Sequence, residues 1–406
     1  MTRDSRLRCG ALLSAALLSL MATVCWSQQP SLTWLGGLPR YSQSIAYGVS
    51  ADGRVVVGVA FIVVGLGRAF RWENGVMQDL GTLGGEYSFA YGVSADGRVV
   101  VGWASDSAER TRAFRWENGV RQDLGTLGGS RSEAYGVSAD GRVVVGWASD
   151  SAERTRAFRW ENGVRQDLGT LGGSRSEAYG VSADGRVVVG GAEDAFIRTH
   201  AFRWENGVMQ GLSSPRGGIS IAHSVSADGT VIVGLDYDRN LQARAFRWEG
   251  GTMQNLGTLG SDYSFARGVS ADGHIVVGGT EDAAGRNRRA LRWTAERGIE
   301  DLNLTYAQLL TPGSRLATAY AVSPDGRYIV GTGYNAATNR WEAFLLDTGF
   351  PLRGDVDRNG CVDDADLLRV LFAFGGQGYR NEDLNWDGAI DDADLLIVLL
   401  NFGSGC

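Results

Sequence analysis

The chain has 406 residues, room for two or three domains, and its 44% hydrophobic content supports real cores rather than disorder. Its 39 basic residues are all arginine, which excludes a Schiff-base or P-loop lysine, and the three histidines (His200, His223, His274) are few for a His-rich metal centre or relay. A net charge of −7 without a basic stripe gives no footing for nucleic acid.

At the N-terminus Arg3, Arg6 and Arg8 precede an apolar run from Ala11 to Val24, followed by Cys25-Trp26-Ser27. This predicts a secretory signal over residues 1–27, too short for a transmembrane helix. A lipoprotein signal would need a small residue directly before Cys25, where Val24 stands. No later stretch could span a bilayer, so the mature chain is expected to be secreted, extracellular or at the cell surface. Removing the leader leaves only Cys361 and Cys406, in a compartment that permits disulfides, and one bridge is the simplest reading.

Residues 31–349 are repetitive. VSADGRVVVG begins at Val49, Val93, Val137 and Val181, with looser copies at Val225, Val269 and Val322. The turn aspartates Asp52, Asp96, Asp140, Asp184, Asp228 and Asp272 are spaced by 44 residues, and Asp325 follows after 53. A period of 40–45 residues is the length of a four-stranded propeller blade. Within one unit, AYGVS reads as strand A, SADG as a tight turn, RVVVGWA as strand B, TRAFRWE as strand C and VRQDLG as strand D. The seventh repeat stops after strand C, and SLTWLGGLP stands unpaired ahead of the first strand A. The fold class is therefore all-β: a seven-bladed propeller closed by an N-terminal outer strand.

Residues 91–134 and 135–178 are identical. Identical blades place identical groups at separate points, whereas a catalytic centre needs different groups at one point. The SADG aspartates are expected to cap turns, and pairs such as Phe158 and Trp160 to fill the core between blades. Arg71, Arg115, Arg159, Arg203 and Arg247, each between Phe and Trp, are expected to pair with a turn Asp or carbonyl. Alternating strand direction puts the SADG and ENG turns on one short, uniform rim. The B–C loops, such as ASDSAERT and LDYDRNLQA, and the D–A loops, such as GGEYSF and GGSRSE, form the other, variable rim. That rim is the candidate binding face, for a carbohydrate or protein ligand, with Tyr87, Tyr237, Tyr263 and Tyr306 as its aromatic candidates.

After a short linker, 350–353, comes the C-terminal segment 354–406; residues 353–406 carry 11 acids against 4 arginines. DVDRNGCVDDAD and DLNWDGAIDDAD, 28 residues apart, match the start of an EF-hand loop, each followed by an apolar helix. Calcium ligands are expected from Asp355, Asp357, Asn359, the Cys361 carbonyl, Asp363 and Asp366, and from Asp383, Asn385, Asp387, the Ala389 carbonyl, Asp391 and Asp394. Asp363 and Asp391 would act directly or through water, and Gly360 and Gly388 permit the sharp turn at position six. Two calcium sites result.

On the recurrent SADG, AFRW and DLGTLGG, and the His200-Ala201-Phe202 triplet, the repeat region resembles the HAF family of extracellular repeats. That resemblance implies a secreted propeller-like module and brings no established activity; the layout is also similar to WD-type propellers. The loop-then-helix pair with Asp at position twelve resembles a type I dockerin, a small α-helical module. The resemblance implies docking on a cohesin-type domain or cell-surface component, mainly through positions ten and eleven, often Ser-Thr. Here these are Asp364-Ala365 and Asp392-Ala393. A Cys361–Cys406 bridge would clamp the ends of the module. The expected function is non-catalytic extracellular binding or display, with a dockerin-borne propeller glycosidase or polysaccharide lyase as the alternative.

Overall fold

The computed structural model describes residues 29–63 and 66–406; the expected leader lies outside them. Its repeat region is seven four-stranded antiparallel sheets arranged as the blades of a closed ring. Blade three serves as the type: strands A to D are Gly128–Val137, Val143–Asp150, Thr155–Glu161 and Val164–Asp167.

The Val run of strand B is explained by the two neighbours of each blade. Val144 packs with Val99 and Val101 of blade two, whereas Val143 and Val145 pack with Val188 and Phe202 of blade four. With both faces covered, the run stays apolar, and each buried valine contributes roughly 1.5–3 kcal/mol. Phe158 and Trp160 fill the same interblade core. The glycine ending VVVG is fixed by close approach. A Cβ on Gly146 would stand 1.9 Å from the Glu133 carbonyl, where strand A shifts register between Ala134 and Gly136.

Each SADG turn is tied by its own side chains. Ser138 Oγ donates to Asp140 Oδ1 at 2.6 Å, and that oxygen accepts the Arg142 N–H at 3.0 Å. Ser138 Oγ also accepts the Val143 N–H at 2.9 Å. These turns also join one another around the ring. Ala51, Ala95, Ala139, Ala183, Ala227 and Ala271 each donate a backbone N–H to the next blade's turn, the last to the Pro324 carbonyl. Pro324 has no N–H and cannot return the series to blade one.

Closure is made by the N-terminal strand. Ser31–Gly36 pairs antiparallel with Arg340–Asp347, Trp34 opposite Phe344, and becomes the outer strand of blade seven. One expectation is corrected: GGEYSF and GGSRSE are not loops. Strand A begins at Gly84, Gly128 and Gly172. In blades two and three a strand B serine, Ser105 or Ser149, holds the segment, and in blade four Glu193 takes that place by accepting from Ser174. Ser149 Oγ accepts the Arg131 N–H at 3.0 Å and donates back to the Arg131 carbonyl at 3.2 Å.

The connection from blade six to blade seven carries a short helix, α1 (Leu302–Thr305), capped by Asp301. The C-terminal module consists of two loop–helix halves, with α2 spanning Asp364–Ala373 and α3 Asp392–Asn401. Its core pairs equivalent residues of the halves, Val362 with Ile390 and Val370 with Val398. Cys361 and Cys406 are disulfide-bonded, their Cα atoms 4.8 Å apart. Among the described residues no helix is long and apolar enough to cross a membrane.

Candidate functional site

The four rim tyrosines do not share one place. Tyr87 lies in strand A of blade two, its N–H donating to Ser105 Oγ at 2.9 Å. Tyr306 is buried in the core beside Leu302 and Leu316, its hydroxyl taking the Arg292 Nη1 hydrogen at 3.0 Å, so it presents no ring to solvent. Tyr237, at the end of strand B of blade five, and Tyr263, at the start of strand A of blade six, do meet. They line one groove of about 340 Å³ with Phe265, Arg267, Glu281 and Tyr320. Nearby loop tips on this rim expose Phe196, Ile197 and Leu241.

A second feature had gone unnoticed in the sequence. One residue per blade forms a collar inside the central channel: Tyr47, Tyr91, Tyr135, Tyr179, His223, Arg267 and Tyr320. Neighbouring rings touch, with centroids 5.1 Å apart for Tyr47–Tyr91, Tyr91–Tyr135 and Tyr135–Tyr179. The signal was available, since the first six positions keep the 44-residue period. Burial pushes the Tyr91 phenol up to about 12, with the Glu133 charge adding to it. Burial also raises the Glu133 carboxyl, against the hydrogen bond that it accepts from Tyr135 at 2.9 Å. Between the collar and the SADG mouth the channel encloses about 280 Å³.

In the first loop of the C-terminal module, carboxylate oxygens of Asp355, Asp357 and Asp366 lie within 4.8 Å of one another. Asp366 is held in place by the N–H groups of Val356 at 2.7 Å and Asp357 at 3.1 Å. The second loop repeats this frame: Asp394 accepts from Leu384 at 2.7 Å and Asn385 at 3.1 Å. Gly360 and Gly388, at φ +91° and +92°, take the left-handed turn expected of position six. Burial, with the Asp394 and Asp387 charges behind it, pushes Asp383 up to about 7; burial likewise raises Asp355 and Asp394. Asp363 and Asp391 cap α2 and α3 instead of turning inward, each accepting an N–H at 2.8 Å. Crowded, partly desolvated carboxylates on an all-oxygen donor set are the chemistry that a hard divalent cation satisfies.

The module sits on the SADG rim. Arg358, at position four of the first loop, pairs with Asp272 at 2.5 Å and donates to the Asp325 carbonyl at 3.2 Å. Trp386, at position four of the second loop, is buried and closes the channel mouth beside the turn alanines. Both residues hold left-handed backbone, at φ +60° and +59°. Both acidic loops thus touch the propeller, and the variable rim is left open.

No protein-family model matches the chain, and no curated protein matches it. Among solved structures, it is similar to a chain described as a TolB from Agrobacterium tumefaciens, with a TM-score of 0.43 at 15% identity, covering 56% of this chain and 88% of that one. It is also similar to TolB from Acinetobacter baumannii, with a TM-score of 0.42 at 13% identity, covering 86% of this chain and 71% of that one.

Proposed function

We propose that this chain is a secreted, non-catalytic propeller for extracellular binding or display, carried on a partner by a dockerin-like module that binds two calcium ions. The calcium ligands are the carboxylates and amide oxygens of Asp355, Asp357, Asn359 and Asp366, and of Asp383, Asn385, Asp387 and Asp394, with the Cys361 and Ala389 carbonyls. Asp363 and Asp391, committed as helix caps, act through water. The partner is a cohesin-type domain or an equivalent cell-surface component, and the variable rim takes a carbohydrate or protein ligand.

The observation that carries the reading is a matched pair of exposed apolar helix faces. Leu368, Leu371 and Phe372 of α2 are 48%, 46% and 86% exposed, and Leu396, Leu399 and Leu400 of α3 are 53%, 52% and 74% exposed. Each pair is 28 residues apart, so the two halves offer equivalent faces. Six large apolar side chains left in water on one small module mark a protein contact. With the acidic loops turned toward the propeller, these faces are the surface that this reading gives to the partner.

The test is capture of the full chain on immobilised cohesin-type domains, in calcium and in chelator. Capture in calcium is expected, lost in chelator and weakened by Phe372→Ser with Leu400→Ser. Capture indifferent to both changes would sink the reading.

A further inference from the structure

Five blades place tyrosine at the collar; blades five and six place His223 and Arg267 there instead. In a molecule built by repetition, such a departure creates one point unlike all the others. Arginines of comparable burial elsewhere hold carboxylates: Arg115 pairs with Glu117 at 2.8 Å, Arg292 with Glu300 at 2.9 Å and Arg327 with Asp347 at 2.7 Å. Arg267 has no ion pair among the described residues. Its Nη1 lies 2.8 Å from His223 Nε2, its guanidinium stands 5.2 Å from the Phe265 ring centre, and its buried Nε has no hydrogen-bond partner. Burial, and next the Arg267 charge, push the His223 pKa well down; neutral or protonated, an imidazole cannot be the counter-ion of a guanidinium. With Nε2 accepting from Arg267, the ring proton sits on Nδ1, on the side of the Ala266 backbone. A shielded guanidinium lacking an anion is costly, and a ligand anion would relieve it.

Arg267 lines the channel and also the groove between blades five, six and seven. In that groove Arg288 and Glu281 neutralise each other at 2.9 Å, so Arg267 is its uncompensated charge. The walls are aromatic: Tyr237, Tyr263, Phe265 and Tyr320. A planar cation fork among flat apolar faces suits a ring that bears a carboxylate. We propose that this groove binds a carboxylated sugar residue, with Arg267 pairing its carboxylate and Tyr237 and Tyr263 flanking its ring. The proposal rests on the rim reading given above and names the ligand class of that rim.

The experiment is calorimetric titration of the full chain with unesterified galacturonic acid oligomers and with the same oligomers methyl-esterified. The acid form is expected to bind and the ester to bind much more weakly. Arg267→Tyr installs the residue carried by five other blades, so the ring should form normally, as an unchanged melting temperature would verify. It should weaken acid binding by roughly tenfold to a hundredfold, the range of a lost charged hydrogen bond. Arg267→Lys, which keeps the charge and loses the fork, should fall between, and it serves as the second variant should Arg267→Tyr fail to fold. Equal binding of acid and ester, no binding of the acid, or full affinity in Arg267→Tyr would each overturn the proposal. Equal affinity for a sulfated oligomer would overturn the carboxylate assignment. A neutral glycan or a protein bound at this rim without the acid would overturn it while leaving the rim reading standing.

Discussion

At the scale of single residues, the ring is held by a few side chains used again and again. Arg115 donates from Nε to the carbonyl of Gly141, in the next blade's SADG turn, at 3.1 Å, and from Nη1 to Glu117 at 2.8 Å. Arg71, Arg159, Arg203 and Arg247 repeat the link to Gly97, Gly185, Gly229 and Gly273. Glu117 is 40% exposed, so its ion pair contributes little; the bond to the sheltered carbonyl matters more. Arg115→Leu is expected to cost about 2 kcal/mol, read as a lower denaturation midpoint. Arg98→Leu, at a position 73% exposed, should stay within about 0.5 kcal/mol and serves as the comparison. Equal midpoints for the two variants would remove Arg115 from the interblade contacts. The sequence made the arginine's need for a carbonyl or carboxylate legible, but not that its acceptor belongs to the following blade. A second link escaped notice altogether: Ser132 Oγ, fully buried, accepts the Ala113 N–H from the preceding blade at 2.9 Å. Ser44, Ser88, Ser176, Ser220 and Ser264 do the same at the 44-residue period. A small polar residue among turn-rich segments gives no hydrophobic signal, so only its period could have betrayed it.

Strands and their pairing were mostly readable, because hydrophobic pattern and repeat length agree on them. Blade seven's missing outer strand and the unpaired SLTWLG could satisfy each other, and Ser31–Gly36 does lie against Arg340–Asp347. GGSRSE was harder: glycine pairs signal a loop, and the strand persists there through a serine hydroxyl rather than through side-chain packing. The closing strand makes a prediction at this scale. Trp34 is half-buried and meets Phe344 edge-on with centroids 6.4 Å apart. Trp34→Ala should cost about 2 kcal/mol, below the loss for a fully buried tryptophan. Deleting residues 29–36 should do far more, because Arg340–Asp347 becomes an open edge carrying Phe344 and Leu346. Light scattering during thermal unfolding would report it as early aggregation. A truncated chain that melts and refolds like the full one would mean that the ring does not depend on this clasp.

For the whole molecule, the arrangement turns on two residues that occur once each in a repetitive chain. Arg358 and Trp386 occupy the same position in the two loops of the C-terminal module, and each reaches a different part of the SADG rim. The repeats announce the ring and the acidic loops announce the module. How the two meet was not legible, since an arginine and a tryptophan in a loop carry no pattern that specifies a distant partner. Their docking shuts one end of the channel and leaves the other rim, with its groove at Arg267, open to ligand. It also makes the contact depend on the loops' own order, because Arg358 lies between Asp357 and Asn359, and Trp386 between Asn385 and Asp387. Replacing both residues, Arg358→Ala with Trp386→Ala, should therefore free the module while sparing its fold, whose core of Val362, Val370, Ile390 and Val398 lies elsewhere. Limited proteolysis is expected to cut the segment 349–353 faster in the double variant, and hydrogen exchange to rise at the turns around Ala51 and Ala95. On the calcium reading proposed above, chelation should produce the same pattern in the unaltered chain, since emptied loops would no longer hold position four in its left-handed conformation. If the double variant resists protease as well as the parent does, the two residues do not secure the contact, and the closed channel mouth must have another cause.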